Sequence, residues 1–130
     1  MAPNSQKKLE LHWAILPSAT KEAADFLSGQ PWIGKSGWYL AGGTALALQV
    51  GHRKSVDLDF FTPQQQFDET AMERHLLSTG RWITSLRQEG TLYGTLGKTK
   101  MSFIAYPFFR PHQPFIQCGA VRLLDARDVA

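Results

Sequence analysis

Cysteine is nearly absent: Cys118 stands alone in 130 residues. No internal disulfide can form, so a packed core must hold the fold, and the composition suits a reducing cytoplasm. Cys118 has no evident activating neighbour and reads as structural. No apolar run approaches the roughly 20 residues of a membrane helix. The N-terminal "MAPNSQKKLELHW" has lysines but no apolar stretch behind them, which argues against a secretory signal. Repeats and low-complexity tracts are lacking. His12, His52, His75 and His112 are scattered without metal-ligand spacing, so a histidine-built zinc centre is not expected. Only His52, beside Arg53, is placed where it could line a phosphate loop. No run of lysine and arginine marks a nucleic-acid track. The net charge of +3 favours anionic partners only mildly.

What is present is enough for one core. The apolar fraction is 43%, and 130 residues suit a single domain, 1–130. Residues 8–28 have helical patterning with a break at Pro17, and Ser18 or Thr20 is the expected cap of the second piece. "SGQPWIGKSG" is expected to be a loop, "WYLA" a short strand, "TALALQV" a short helix and "SVDLDFFT" a strand halted by Pro63. "FDETAMERHLLSTG" has Asp68 as N-cap, Glu69 in the first turn, an apolar face of Met72, Leu76 and Leu77, and Gly80 as stop. "RWITSLRQ", "TLYGTLG" and "KMSFIAYPF", separated by "EG" and "GK", are expected to form an antiparallel meander. After the proline-rich "FFRPHQPF", "AVRLL" is a short strand, and Asp125 caps the start of a further helix. Trp13, Trp32, Trp38 and Trp82 are expected in the core rather than stacked on a base. Tyr93 and Arg87 on the meander are candidate contacts to an RNA, on exposure and charge alone.

The chemistry concentrates in "WYLAGGTALALQVGHRKSVDLDFF", residues 38–61. Successive strand side chains alternate faces, so Asp57 and Asp59 point one way while Val56, Leu58 and Phe60 point the other. Two residues of strand rise about 6.6 Å, close enough for both carboxylates to converge on one cation. Without a cation their charges repel and one would stay protonated. Hard oxygen ligands with no nearby histidine or cysteine suit Mg²⁺ or Mn²⁺ better than zinc. Gly42 and Gly43 follow a strand and precede a helix starting near Thr44. Their missing side chains let a phosphate approach the backbone, and the helix N–H groups and dipole then face it. Thr44 can add a hydroxyl, and Arg53 and Lys54 can hold phosphate oxygens. Alone, a glycine pair is usually a turn, Asp-x-Asp is usually a solvated edge, and Arg53 and Lys54 are usually surface charges. Together they outline a triphosphate–metal cradle.

"YLAGGTALALQVGHRKSVDLDFFT" resembles the nucleotidyltransferase-fold family typified by the AbiEii/AbiGii abortive-infection toxins, within the DNA polymerase beta-like superfamily. The matching residues are Gly42, Gly43 and Thr44, then Asp57 and Asp59. The resemblance implies an α+β (α/β) nucleotidyltransferase fold, with helices packed on a mixed, mostly antiparallel sheet. It also implies Mg²⁺-dependent transfer of a nucleotide from a nucleoside triphosphate to an RNA (often the 3′ end of tRNA) or protein acceptor in the cytoplasm. A separate antitoxin protein would restrain the toxin, and no membrane is involved. Two departures stand out. The third acid usual in the superfamily corresponds to Ser102, a weak metal ligand and a poor base. The family's C-terminal helices, with their lysine and aspartate, are expected to lie outside this sequence, making it the N-terminal part of a longer pattern. A catalytically degenerate protein that binds nucleotide or a partner is the alternative expectation.

Overall fold

The computed structural model describes residues 17–35, 37–42, 49, 57–109, 111–118 and 121–129. Seven strands form one mixed sheet in the order β3-β4-β5-β2-β1-β7-β6. The strands are β1 (Tyr39–Ala41), β2 (Leu58–Thr62), β3 (Trp82–Gln88), β4 (Thr91–Leu96), β5 (Thr99–Ala105), β6 (Ile116–Cys118) and β7 (Val121–Leu123). Four neighbouring pairs are antiparallel, and β1–β7 and β2–β5 are parallel. The described helices are α1 (Ser18–Ser28), α2 (Pro31–Lys35), α3 (Glu69–Leu77) and α4 (Ala126–Val129). The expectation of an α+β fold with a mixed, mostly antiparallel sheet holds.

The period-2 alternation decides what goes inside. Leu58 and Phe60 of β2, Leu92 and Leu96 of β4, Met101 and Phe103 of β5 and Val121 and Leu123 of β7 all face one side. There they meet Ala23, Ala24 and Leu27 of α1, Ile33 of α2 and Met72 and Leu76 of α3. Phe60 stacks on Phe103 at 5.2 Å, and Trp38 meets Phe103 edge-on at 5.5 Å. Each fully buried side chain of this kind is worth about 1.5–3 kcal/mol relative to exposure. Trp38 and Trp82 are core, as expected. Trp32 is half-buried and stacks on His75 at 5.0 Å.

The meander lies where the sequence placed it, with Gly90 and Gly97 at positive φ in its two turns. Asp68 caps α3 by accepting the Ala71 N–H at 3.0 Å. Several expectations need correction. α1 is entered from Pro17 without a side-chain cap, and Thr20 is buried in the helix rather than capping it. The expected loop around Pro31 contains α2, because proline is favoured at a first helical position, where its missing N–H costs nothing. β6 arises from the stretch after Pro114, pairing with β7 at the sheet edge. Asp57 sits just before β2 rather than inside it. The expected helix at 44–50 lies almost wholly outside the described residues. Among the described residues no helix is long and apolar enough to cross a membrane.

Candidate active site

The face of β2 opposite the core carries Asp59 and Phe61, both half-buried. Asp57 precedes them and lines the same cavity as Asp59, so both carboxylates serve one space. The β strands explain the framing. Asp59 is paired with Ala41 of antiparallel β1 and with Ser102 of parallel β5. Side chains at paired positions share a face, so Ser102 stands beside Asp59, and its hydroxyl donates to Asp59 Oδ1 at 2.8 Å. On the other side, the chain leaves β1 at Gly42, whose φ of +70° suits glycine. A Cβ on Gly42 would lie 2.8 Å from Asp59 Oδ2, so any other residue here would push that carboxylate aside. Asp59 is thereby held between a hydroxyl donor and a bare backbone.

The cavity has a volume of about 590 Å³. Beyond the acids and Ser102 it is lined by Ser85, Tyr93, Thr95, Lys100 and Ile104. Ser85, Thr95 and Lys100 are not among the residues expected from the sequence. The signal was available: counting by twos from Ser102 and Tyr93 puts Lys100, Ile104 and Thr95 on the same face. Tyr93 does lie here, 38% exposed. Arg87 does not. It pairs with Glu73 of α3 at 3.4 Å and donates to Thr70 at 3.1 Å, on the helix-covered face. The cause is an irregularity in β3 between Thr84 and Leu86, which disturbs the alternation.

A second cavity of about 410 Å³ adjoins the first across Phe61. Tyr39, Ala41, Gly42, Tyr106, Phe109, Leu124 and Asp128 complete its walls. Burial, and secondarily the nearby Tyr106 hydroxyl, push the Tyr39 phenol above its ordinary value.

Gly43, Thr44, Arg53 and Lys54, the remaining members of the expected phosphate seat, lie outside the described residues, as does His52. Two carboxylates and a hydroxyl on one cavity wall form an all-oxygen donor set, which fits Mg²⁺ or Mn²⁺ rather than a soft metal. Among the described residues there is no group of three or more histidine, cysteine, aspartate or glutamate side chains able to hold a metal. Asp57 and Asp59 are therefore a two-acid set, with serine in the neighbouring strand position.

The model of one protein family, described as the nucleotidyl transferase AbiEii toxin of a type IV toxin–antitoxin system, matches residues 33–115, more than half of the chain. The matched span contains Gly42, both acids and Ser102. A curated protein, "Uncharacterized protein aq_aa25" of Aquifex aeolicus (strain VF5), is 43% identical over 74 residues. That match covers 55% of this chain and 35% of the relative, so the chain spans little more than a third of the relative's length. On the strength of the family match, the chain belongs to the AbiEii nucleotidyl transferase toxin family.

Proposed function

We propose that this protein is a metal-dependent nucleotidyltransferase, built on the nucleotidyltransferase fold. It would move a nucleotide from a nucleoside triphosphate to a hydroxyl on RNA, such as a tRNA end, or on a protein. It would act in the cytoplasm as a toxin held in check by an antitoxin protein. The observation that carries the reading is the convergence of Asp57 and Asp59 on one cavity, with Gly42 bare against Asp59, in a chain of this family.

Asp57 and Asp59 are the residues that would hold Mg²⁺ or Mn²⁺, which when bound supplies positive charge to the triphosphate. The protein groups do the rest. Gly42 leaves room beside the Asp59 carboxylate, and with Gly43 and Thr44 it would offer backbone N–H groups to the phosphates. Arg53 and Lys54 would add cationic contacts to the leaving pyrophosphate. Ser102 commits its proton to Asp59, so it orients that carboxylate and cannot serve as a general base. The acceptor oxygen would form a bond to the α-phosphorus as the bond to the β-phosphate bridging oxygen breaks. Such transfer depends on positioning and charge neutralisation more than on covalent help.

The test incubates the full-length protein with each labelled nucleoside triphosphate, Mg²⁺ and either total tRNA or total protein. Asp57→Asn is expected to abolish label transfer, with circular dichroism unchanged. Label transfer retained by that variant would refute the assignment. A second reading, a degenerate protein that binds nucleotide without turnover, is favoured by serine at position 102. Nucleotide binding with no labelled acceptor would select it.

A further inference from the structure

The cradle at Gly42 and Asp59 accounts for the phosphates of a nucleotide but not for its base. Two cavities open from it, and the smaller is the richer in aromatic rings. The larger presents Ser85, Thr95, Lys100 and Ser102 together with Phe61, Tyr93, Met101 and Ile104, a mixed wall. The smaller, over β1, is walled by Tyr39, Phe61, Tyr106 and Phe109. A heteroaromatic base gains most against aromatic rings, and the smaller cavity holds four of them against two in the larger.

We propose that the aromatic cavity over β1 is the seat of the nucleobase of the bound triphosphate, leaving the larger cavity, which holds both carboxylates, to the acceptor. The inference rests on the reading of Gly42 and Asp59 as the phosphate and metal seat. The strand register supports it. Ala41 faces Asp59 and Tyr39 faces Phe61, so moving one face-sharing step along β1 and β2 leads from the carboxylate to the aromatic pair. That step is about 6.6 Å, roughly the reach from an α-phosphate through ribose towards a base. Gly42 lines this cavity directly. At about 410 Å³ the cavity falls within the ordinary range for small-ligand sites, about 300–1,000 Å³.

The walls are held in place by their neighbours. Tyr39 stacks on Phe115 at 5.0 Å and approaches Phe61 at 6.2 Å, and Phe61 meets Tyr106 edge-on at 6.1 Å. Arg122 lies over the Phe115 ring at 5.4 Å, closing the row on its far side. Tyr106 is 43% exposed, as a ring at the mouth of a ligand site would be. Asp128, at the rim, accepts the Gln113 N–H through Oδ2 and puts a carboxylate near where base N–H groups would lie.

The test compares binding of two probes by calorimetry with Mg²⁺ present. One probe is an α,β-methylene nucleoside triphosphate, which cannot be turned over; the other is inorganic tripolyphosphate. Full-length wild type is expected to bind the nucleotide more tightly than tripolyphosphate. Tyr106→Ser and Phe109→Leu should each weaken nucleotide binding about tenfold, the loss of one base–aromatic stack, and leave tripolyphosphate binding unchanged. Tyr106 is exposed enough for its variant to fold if Phe109→Leu does not. Unchanged nucleotide affinity in the variants, or equal losses for both probes, would overturn the proposal. Equal wild-type affinity for nucleotide and tripolyphosphate overturns the base seat while sparing the phosphate seat. No binding of either probe overturns both.

Discussion

Two glycines show how the same missing methyl group serves different ends. At Gly42 an added Cβ meets the movable Asp59 Oδ2 at 2.8 Å, and the backbone is left-handed at φ +70°. Gly42→Ala is therefore expected to cost about 1–2 kcal/mol in stability from the left-handed backbone, while Asp59 turns aside. Label transfer should fall much further than stability does, since the carboxylate itself is displaced. At Gly94 an added Cβ meets the Ile83 carbonyl oxygen and lies 2.5 Å and 2.7 Å from the Trp82 ring. Neither can yield: Ile83 is held by its ladder, and the Trp82 indole donates to Thr84, which donates to Glu73. Gly94→Ala should cost about 2–3 kcal/mol by overpacking. Urea unfolding compared with label transfer separates the two cases. A Gly94→Ala protein as stable as wild type would contradict the packing argument.

Elements show where sequence was readable and where it was not. α3 was readable because cap, first-turn acid and terminal glycine agreed with an apolar face of Met72 and Leu76, although Leu77, expected on that face, is 53% exposed. It lies across β3 and β4, and Glu69 ties it to the turn by accepting the Gly90 N–H at 2.6 Å. Asp68→Ala is expected to lower stability by about 1 kcal/mol, measured by thermal unfolding. The placing of Asp59 opposite Leu58 and Phe60 was readable for an equally local reason, the alternation along β2. α2 and β6 were not readable. Five residues around a proline and three before a turn carry too little pattern, and both owe their state to contacts with β7. Arg87 was misplaced because a strand irregularity leaves no mark in composition. Asp125, foreseen as a cap, receives the Arg127 N–H at 2.9 Å and pairs with its guanidinium. The guanidinium hydrogen bond holds the Asp125 carboxyl below its ordinary value. A depressed carboxyl stabilises fully above its unfolded value and loses that contribution as pH falls through the folded one. The stability gap between wild type and Asp125→Ala should thus be present at neutral pH and close on strong acidification. Urea titrations at the two extremes check it, and a gap that widens in acid would contradict it.

At the scale of the molecule, the main core lies on one sheet face, and the other carries the two acids beside a smaller apolar cluster of Tyr39, Ala41 and Leu124. The described helices that join the main core, α1 to α3, supply it on one side, and both cavities open on the opposite one. In the proposed reading the two carboxylates serve a cation away from the main core, and that placement leaves a cost. With no cation added, two like charges on one wall repel each other. Asp57→Asn should therefore raise the midpoint of thermal unfolding in chelator, by a few degrees for each kcal/mol of repulsion relieved. Mg²⁺ or Mn²⁺ should raise the wild-type midpoint as a ligand of the folded state, by about 2.7 kcal/mol at a hundredfold excess over Kd, and should leave the variant unmoved. The two curves would then converge as cation is added. Differential scanning calorimetry of both proteins, in chelator and across a cation series, measures this without any nucleotide or acceptor. A variant that is less stable than wild type in chelator, yet still gains stability from the cation, would show that Asp57 holds the fold rather than the metal.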